Sequence, residues 1–268
     1  MLSKLILLAA FVLTGLFTSA QEAWDVYMAN YEDGHAGSTV INMGLKEHAP
    51  MKQFPFLLKA GVKLQQCSDN GLPDNGEMEA LYGISAKIRS FIDSTTSAEA
   101  GTFSYRCKRT DYYYIKDTAG IRQILSKAFT TLFPKYEYYI EIKADPNWEA
   151  YLKFLYPNPE TMDYMADEKV VMNLSQAGDK LDKPRPVDHW LYFNTEGDRE
   201  AFIKYAQQSG FKVEGKEKKQ TALPFELHLS RTDKADINSI HAITTTLRKK
   251  ARELHGSYDG WETFVIKP

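Results

Sequence analysis

The sequence predicts an α+β chain of two domains, each arranged β-α-β-β-α-β in the manner of a ferredoxin-like split βαβ fold, the first with an extra hairpin. Three observations carry the prediction. Apolar stripes at three-and-four spacing alternate with short period-two runs, in the same order in both halves. Turn chemistry concentrates between them, in Asp69-Asn70-Gly71-Leu72-Pro73-Asp74-Asn75-Gly76 and in Asp182-Lys183-Pro184-Arg185-Pro186. The 268 residues, 43% hydrophobic and 25% charged, supply enough apolar mass for real cores and give no sign of disorder.

Residues 1–20 have one cation, Lys4, then an apolar run over 5–17 and the small residues Thr18-Ser19-Ala20 before Gln21. This pattern predicts a secretory signal peptide, the alternative being a buried first helix. The apolar run is short for a membrane span, and no later stretch approaches the roughly twenty apolar residues such a helix needs. The expectation is an exported, soluble bacterial protein, periplasmic or extracellular. A net charge of −2 argues neither for bulk nucleic-acid binding nor for anionic membranes, so partners must be recognised locally.

Residues 24–31 and 38–45 read as a hairpin around Glu32-Asp33-Gly34-His35-Ala36-Gly37, and 56–65 as a third strand. A helix from Glu77 carries Leu81, Ile84, Ile88 and Phe91 or Ile92 inward. Strands over 101–108 and 112–116 pair around Arg109-Thr110-Asp111. The next helix aligns Ile121, Ile124, Leu125, Ala128 and Leu132, stops at Pro134, and leads to a strand over 136–142. Asp145 as a cap and Pro146 in the first turn then predict a short helix with Trp148, Tyr151, Leu152 and Leu155 on one stripe, ended by Pro157. Residues 159–178 add a connecting helix, and 182–186 read as a stiff linker.

In the last third, His189-Trp190-Leu191-Tyr192-Phe193 suits a strand. Thr195 and Asp198 resemble a capping box ahead of Ala201, Phe202, Tyr205 and Ala206, a stripe that stops at Gly210. Strands over 211–216 and 224–231 follow, the second alternating Phe225, Leu227 and Leu229 against Glu226, His228 and Ser230. Ile237, Ile240, Thr244, Leu247, Ala251 and Leu254 define the second helix, which ends at Gly256, and residues 261–266 close the module as a strand.

This order, the aromatic opening strand and Tyr258-Asp259-Gly260-Trp261 at the mouth of the last strand resemble the regulator of ribonuclease activity B family, the ribonuclease E inhibitors. The resemblance implies the ferredoxin-like fold and protein binding rather than catalysis. Those inhibitors are acidic whereas this stretch is nearly neutral, which speaks against mimicry of a nucleic acid. The Tyr-rich strand, the Asp69-Asn70-Gly71-Leu72-Pro73 loop and the string from Asp145 to Pro157 resemble the bacterial domain of unknown function 695, which implies no reaction. The expected organisation is a signal peptide over 1–20, a 695-like domain over 22–164, a connecting helix and linker over 165–187, and a ribonuclease-regulator-like domain over 188–268. An exported chain does not meet ribonuclease E, so the scaffold is expected to serve another partner.

No catalytic, cofactor or metal motif stands out. His35, His48, His189, His228, His241 and His255 show no ligand spacing, and there is no nucleophile elbow, phosphate loop or dinucleotide fingerprint. Cys67 and Cys107 are the only cysteines, and an oxidising compartment favours joining them. The strands they end lie two spacings apart in a split βαβ sheet, roughly 10 Å, beyond a disulfide's reach. Two small buried thiols are therefore the first expectation, and a Cys67–Cys107 disulfide, for which the Cys67 loop would have to curl across the sheet edge, is the alternative. Alternation places Trp190, Tyr192, Glu226 and His228 on the sheet face away from the helices, a patch that calls for a partner. The reading carried forward is docking against the first domain or a protein partner. Single-stranded RNA stacking on the aromatics, and a hydrolase using His228 with Glu226, are the alternatives. Tyr258, Asp259 and Trp261 form either a recognition loop on the same surface or a turn whose aromatics close the core. Tyr112-Tyr113-Tyr114 reads as strand packing.

Overall fold

The computed structural model describes residues 23–267, so the proposed signal peptide lies outside the described residues. Two compact units divide between Tyr156 and Pro157. In the first, β1 (Trp24–Asn30) and β2 (Ala36–Asn42) form the hairpin. Then β3 (Phe56–Lys63), α1 (Asn75–Arg89), β4 (Ser97–Tyr105), β5 (Lys108–Ile115), α2 (Ile121–Leu132) and β6 (Tyr138–Ala144) make the split βαβ unit. The antiparallel sheet runs β1-β2-β4-β5-β3-β6, so the hairpin simply extends the β4 edge. Helix α1 starts where the Asp74 carboxylate accepts the Glu77 N–H at 2.9 Å. Its Leu81, Ile84 and Ile88 pack with Leu125 and Phe129 of α2 over Leu58, Ala60, Val62, Tyr113 and Ile115.

The opposite face is closed by residues 145–156. Asp145 accepts the N–H groups of Glu149 and Ala150 at 2.9 and 3.0 Å and the Tyr114 hydroxyl at 2.6 Å, while Trp148 stacks on Tyr114 with ring centroids 4.0 Å apart. The turn at Pro146 is not helical as expected. Trp148 takes a φ of 55° to reach Tyr114, and the helix begins only at Ala150, with wide π-type turns through Leu155. Tyr113 faces the helices and Tyr114 faces Trp148, so the tyrosine run packs both sides of the sheet.

Two further expectations for this unit fail together. Arg109-Thr110-Asp111 is not a loop but part of β5, where buried Asp111 accepts the hydroxyls of Ser85 and Thr102 at 3.0 and 2.9 Å. The β4–β5 turn lies instead at Arg106 and Cys107, both left-handed with φ of 47° and 57°. Cys107 consequently sits beside β3, its carbonyl accepting the Leu64 N–H at 2.8 Å, and the chain after β3 curls back so that Cys67 bridges Pro73. The cysteines are joined in a disulfide, their Cα atoms 5.5 Å apart. The expectation of free thiols rested on two strand spacings, a separation that holds for β3 and β4 but not for the turn leaving β4.

The second unit comprises α3 (Pro159–Gln176), β7 (Arg185–Phe193), α4 (Glu196–Gln208), β8 (Lys212–Lys218), β9 (Phe225–Asp233), α5 (Ile237–Glu253) and β10 (Gly256–Glu262). Its antiparallel sheet runs β10-β7-β9-β8, the split βαβ order. Leu191, Phe193, Leu227 and Leu229 pack under Phe202, Ile203 and Ala206 of α4 and Leu247 and Ala251 of α5. Helix α3 is an integral part of this unit rather than a connector, with Val171 and Leu174 packed against Val187, Ile240 and Trp261. Nor is 182–186 a free linker. Arg185 opens β7 fully buried, donating to Asp179 Oδ2 at 2.5 Å and to the carbonyls of Lys180, Lys183 and Phe264. Burial opposes the Asp179 carboxylate, yet Arg185 and the Ile266 N–H hold its pKa below the usual range.

On the helix side of β7, His189 is buried with Nδ1 2.8 Å from the Tyr258 hydroxyl. Burial, aided by the charge of Arg231, pushes its pKa from 6.5 down to about 3. Between those values the unfolded chain holds a proton that the native chain does not, so stability falls as pH falls, by about 1.4 kcal/mol per unit. Urea unfolding of this unit between about pH 6.5 and 5, above the carboxylate range, should show that slope, and His189→Phe should flatten it. An unchanged slope in the variant would assign the effect to other groups.

Candidate interaction surface

All three helices of the second unit pack against one side of its sheet, so the other side is built by alternate residues of four strands. Pairing aligns them in rows. The central row runs Gly260, Trp190, His228, Gly215, the next Ser257, Tyr192, Glu226, Glu217, and the third Glu262, Asp188, Ser230, Lys212. Trp190 and His228 stack nearly parallel, centroids 4.6 Å and planes 8° apart, and His228 Nε2 lies 2.7 Å from Asp188 Oδ1. A glycine stands at either end of this row. A Cβ at Gly260 would meet nothing within 4 Å, and one at Gly215 would touch only the His228 Cβ, at 3.7 Å. The stack is therefore a flat shelf without side walls along its row.

Carboxylates rim the shelf. Asp188 stands directly opposite Glu262, and Glu226 opposite Glu217. Like charges in facing positions destabilise a sheet; Lys219, within reach of both Glu226 and Glu217, offsets one pair, while Asp188 with Glu262 is a cost that the fold alone gives no reason to keep. Glu214 accepts the Ser230 hydroxyl at 2.5 Å, and burial, then Glu226 and last Asp259 raise the Tyr192 pKa. Among the described residues two lysines oppose these six acids, Lys212 paired with Glu214 and Lys219 with both Glu226 and Glu217. Burial works against the Glu226 carboxylate, but Lys219 and the Tyr192 hydroxyl outweigh it and lower its pKa. The cations that balance the domain point elsewhere: Lys216 pairs with Glu200 of α4, Arg231 covers Phe211, and Arg248 turns to Asp167.

Of the residues singled out from the sequence, Trp190, Tyr192, Glu226, His228 and Asp259 are on this open side. Tyr258 and Trp261 are not. Tyr258 lies under the Arg248 guanidinium, 4.8 Å from its ring, and Trp261 is 6% exposed with Nε1 donating to Asp167 at 3.1 Å. Asp259-Gly260 is not a turn either: β10 starts at Gly256, and Asp259 is the extra residue of a bulge between Tyr258 and Gly260. The sequence reading missed Asp188, Glu214, Glu217 and Glu262, although alternation from Trp190 back across the first strand would have found Asp188.

The geometry does not assemble a nucleophile. The Ser230 hydroxyl donates to Glu214 rather than to His228, and Glu226 is committed to Lys219. Among the described residues no group of three His, Cys, Asp or Glu side chains could hold a metal. In the first unit, a cavity of about 450 Å³ between Lys59, Tyr112, Lys143 and Lys153 is internally neutralised, Lys59 by Glu141 at 2.8 Å and Lys153 by Glu149 at 2.5 Å.

The model of the family of unknown function (DUF695) matches residues 22–156, and that of regulator of ribonuclease activity B matches 165–263, a boundary that takes in most of α3. No curated protein matches the chain significantly. A crystal structure of an unknown protein from Galdieria sulphuraria is similar at 11% identity over 78% of this chain and 98% of its own. Its TM-score of 0.20 carries no argument.

Proposed function

The chain belongs to the DUF695 family of unknown function, extended by a regulator of ribonuclease activity B module, and on that premise we propose an exported regulatory protein whose second unit binds a basic protein surface. The observation that carries this reading is the pair of facing carboxylates on either side of the Trp190–His228 shelf, on the side of the sheet away from the unit's described helices. A partner bearing Lys or Arg around a flat apolar or aromatic centre relieves the repulsion and covers the shelf. The same acids repel phosphates, which disfavours stacking of RNA on these aromatics. Export rests on the leader-like composition of residues 1–20, and the disulfide suits an oxidising compartment. Among the described residues no helix is long and apolar enough to cross a membrane.

The test is capture of partners from an envelope fraction by the mature chain and by two variants. Trp190→Ala should weaken binding by about 2 kcal/mol or more. Glu217→Lys with Glu262→Lys should abolish it while changing the stability of the fold by no more than about 1 kcal/mol, since the lysine introduced at 262 faces Asp188 while the one introduced at 217 shares Glu226 with Lys219. Loss of binding without loss of stability is the expected signature of a functional surface. Undiminished capture by both variants, or retention of RNA instead of protein, would overturn the reading; an uncleaved chain residing in the cytosol would overturn export.

A further inference from the structure

Trp190 and His228 are direct cross-strand partners, and their rings stack with centroids 4.6 Å and planes 8° apart. Neighbouring strands lie about 4.8 Å apart, so rings stacked at this distance turn their faces along the row, from strand to strand. One strand further along the same row, beside the outer face of Trp190, stands Gly260 of β10. It has no side chain to fill that position, and a Cβ there would meet nothing within 4 Å among the described residues. Nor does its backbone require a glycine, since its φ lies outside the left-handed region. The outer face of Trp190 therefore looks across a slot one stacking layer wide. The far end of the row is tighter, because a Cβ at Gly215 would already touch the His228 Cβ at 3.7 Å.

Carboxylates stand at both ends of the slot. Glu262, two residues past Gly260, and Asp188 opposite it close one end, and Asp259 of the bulge lies at the other. Among the described residues Asp259 and Glu262 pair with no cation, and Asp188 gives one oxygen to His228.

We propose that this slot takes an arginine side chain of the partner, its guanidinium lying on the outer face of Trp190 as the next layer of the stack. The proposal rests on the reading of this side of the sheet as a contact for a basic protein surface, and names the group that anchors it. A guanidinium is flat, so it fits a single layer, and its donors point outward in its own plane, toward carboxylates at either end. It also sheds water more readily than an ammonium and stacks on aromatic faces. A lysine ammonium has no plane to lay on the ring and holds its hydration more strongly.

The test titrates the mature chain with two blocked amino acids, acetyl-arginine amide and acetyl-lysine amide, and follows the Trp190 indole N–H by nuclear magnetic resonance. The arginine probe should bind about fivefold or more tighter than the lysine probe. Gly260→Val fills the slot with a residue that suits a strand, and should weaken the arginine probe by about fivefold while moving the lysine probe by less than about twofold. Asp259→Asn with Glu262→Gln keeps the slot but removes its charge, and should weaken both probes. Circular dichroism matching the wild type checks the fold of each variant. An arginine probe that leaves the Trp190 signal in place, equal binding of the two probes, or undiminished arginine binding by Gly260→Val overturns the proposal. Capture of the envelope partner separates this failure from that of the underlying reading. Capture lost in Trp190→Ala but kept in Gly260→Val would retain the basic partner and overturn the arginine slot alone.

Discussion

Replacing Asp167 by alanine is expected to cost the second unit about 3–5 kcal/mol, measured by denaturant unfolding followed through tryptophan fluorescence. Asp167 lies on α3 at 0% exposure, and five donors converge on its two oxygens. Oδ2 accepts from His241 Nδ1 at 2.8 Å, Thr244 Oγ1 at 2.6 Å and one Arg248 nitrogen at 2.9 Å; Oδ1 accepts from the other Arg248 nitrogen and from Trp261 Nε1, both at 3.1 Å. These donors belong to α5 and β10, so a single carboxylate ties three elements together. Its removal strands a buried guanidinium and a buried indole N–H, and leaving such groups unpaired costs more than the bonds contributed. Asp163 remains 3.3 Å from Arg248 Nε and softens the loss. Asp167→Asn, which keeps shape and one acceptor but not the charge, should lose roughly half as much. A loss under about 1 kcal/mol in the alanine variant would mean that the apolar contacts of Val171 and Leu174 alone dock α3.

What could be read in the sequence is what depends on local period. Trp190, Tyr192, Glu226 and His228 were assignable to one side because each lies on a regular strand, where parity decides the face. Tyr258 and Trp261 defeat parity. Three residues apart, they belong on opposite faces of an unbroken strand, and only the bulge at Asp259 turns both toward the helices. The acidic character of the open side was hidden differently: facing pairs such as Asp188 with Glu262 exist only once distant strands are in register, and the domain's near-neutral balance gives no hint of its sidedness. Buried polar hubs are the least legible. Asp167 in a helix and Arg185 after a proline read as surface or linker residues, because nothing local shows that Arg248 or Asp179 will meet them.

Removal of the Cys67–Cys107 bridge, by Cys67→Ser with Cys107→Ser or by reductant, is expected to cost the first unit about 4 kcal/mol, the loop-entropy value for a span of about forty residues. Both ends hold more than each other. Cys107 donates its N–H to the Gly71 carbonyl at 2.8 Å, Ser68 donates to the Leu72 carbonyl at 2.9 Å, and Gly71 takes the left-handed φ of 86° that lets the loop turn. That loop delivers Asp74, the cap of α1. Hydrogen exchange should therefore speed up in residues 65–78 of the reduced chain before it does so in β3 or β5, whose pairing runs through eight residues without the bridge. Because both sulfurs lie in partly exposed residues, reductant can reach them in the native state. Thermal unfolding of the wild-type chain should shift down on reduction to match the double serine variant, and the variant itself should not respond. If reductant leaves the wild-type transition in place while mass measurement shows the bridge broken, the loop is held by its hydrogen bonds and the bridge contributes little.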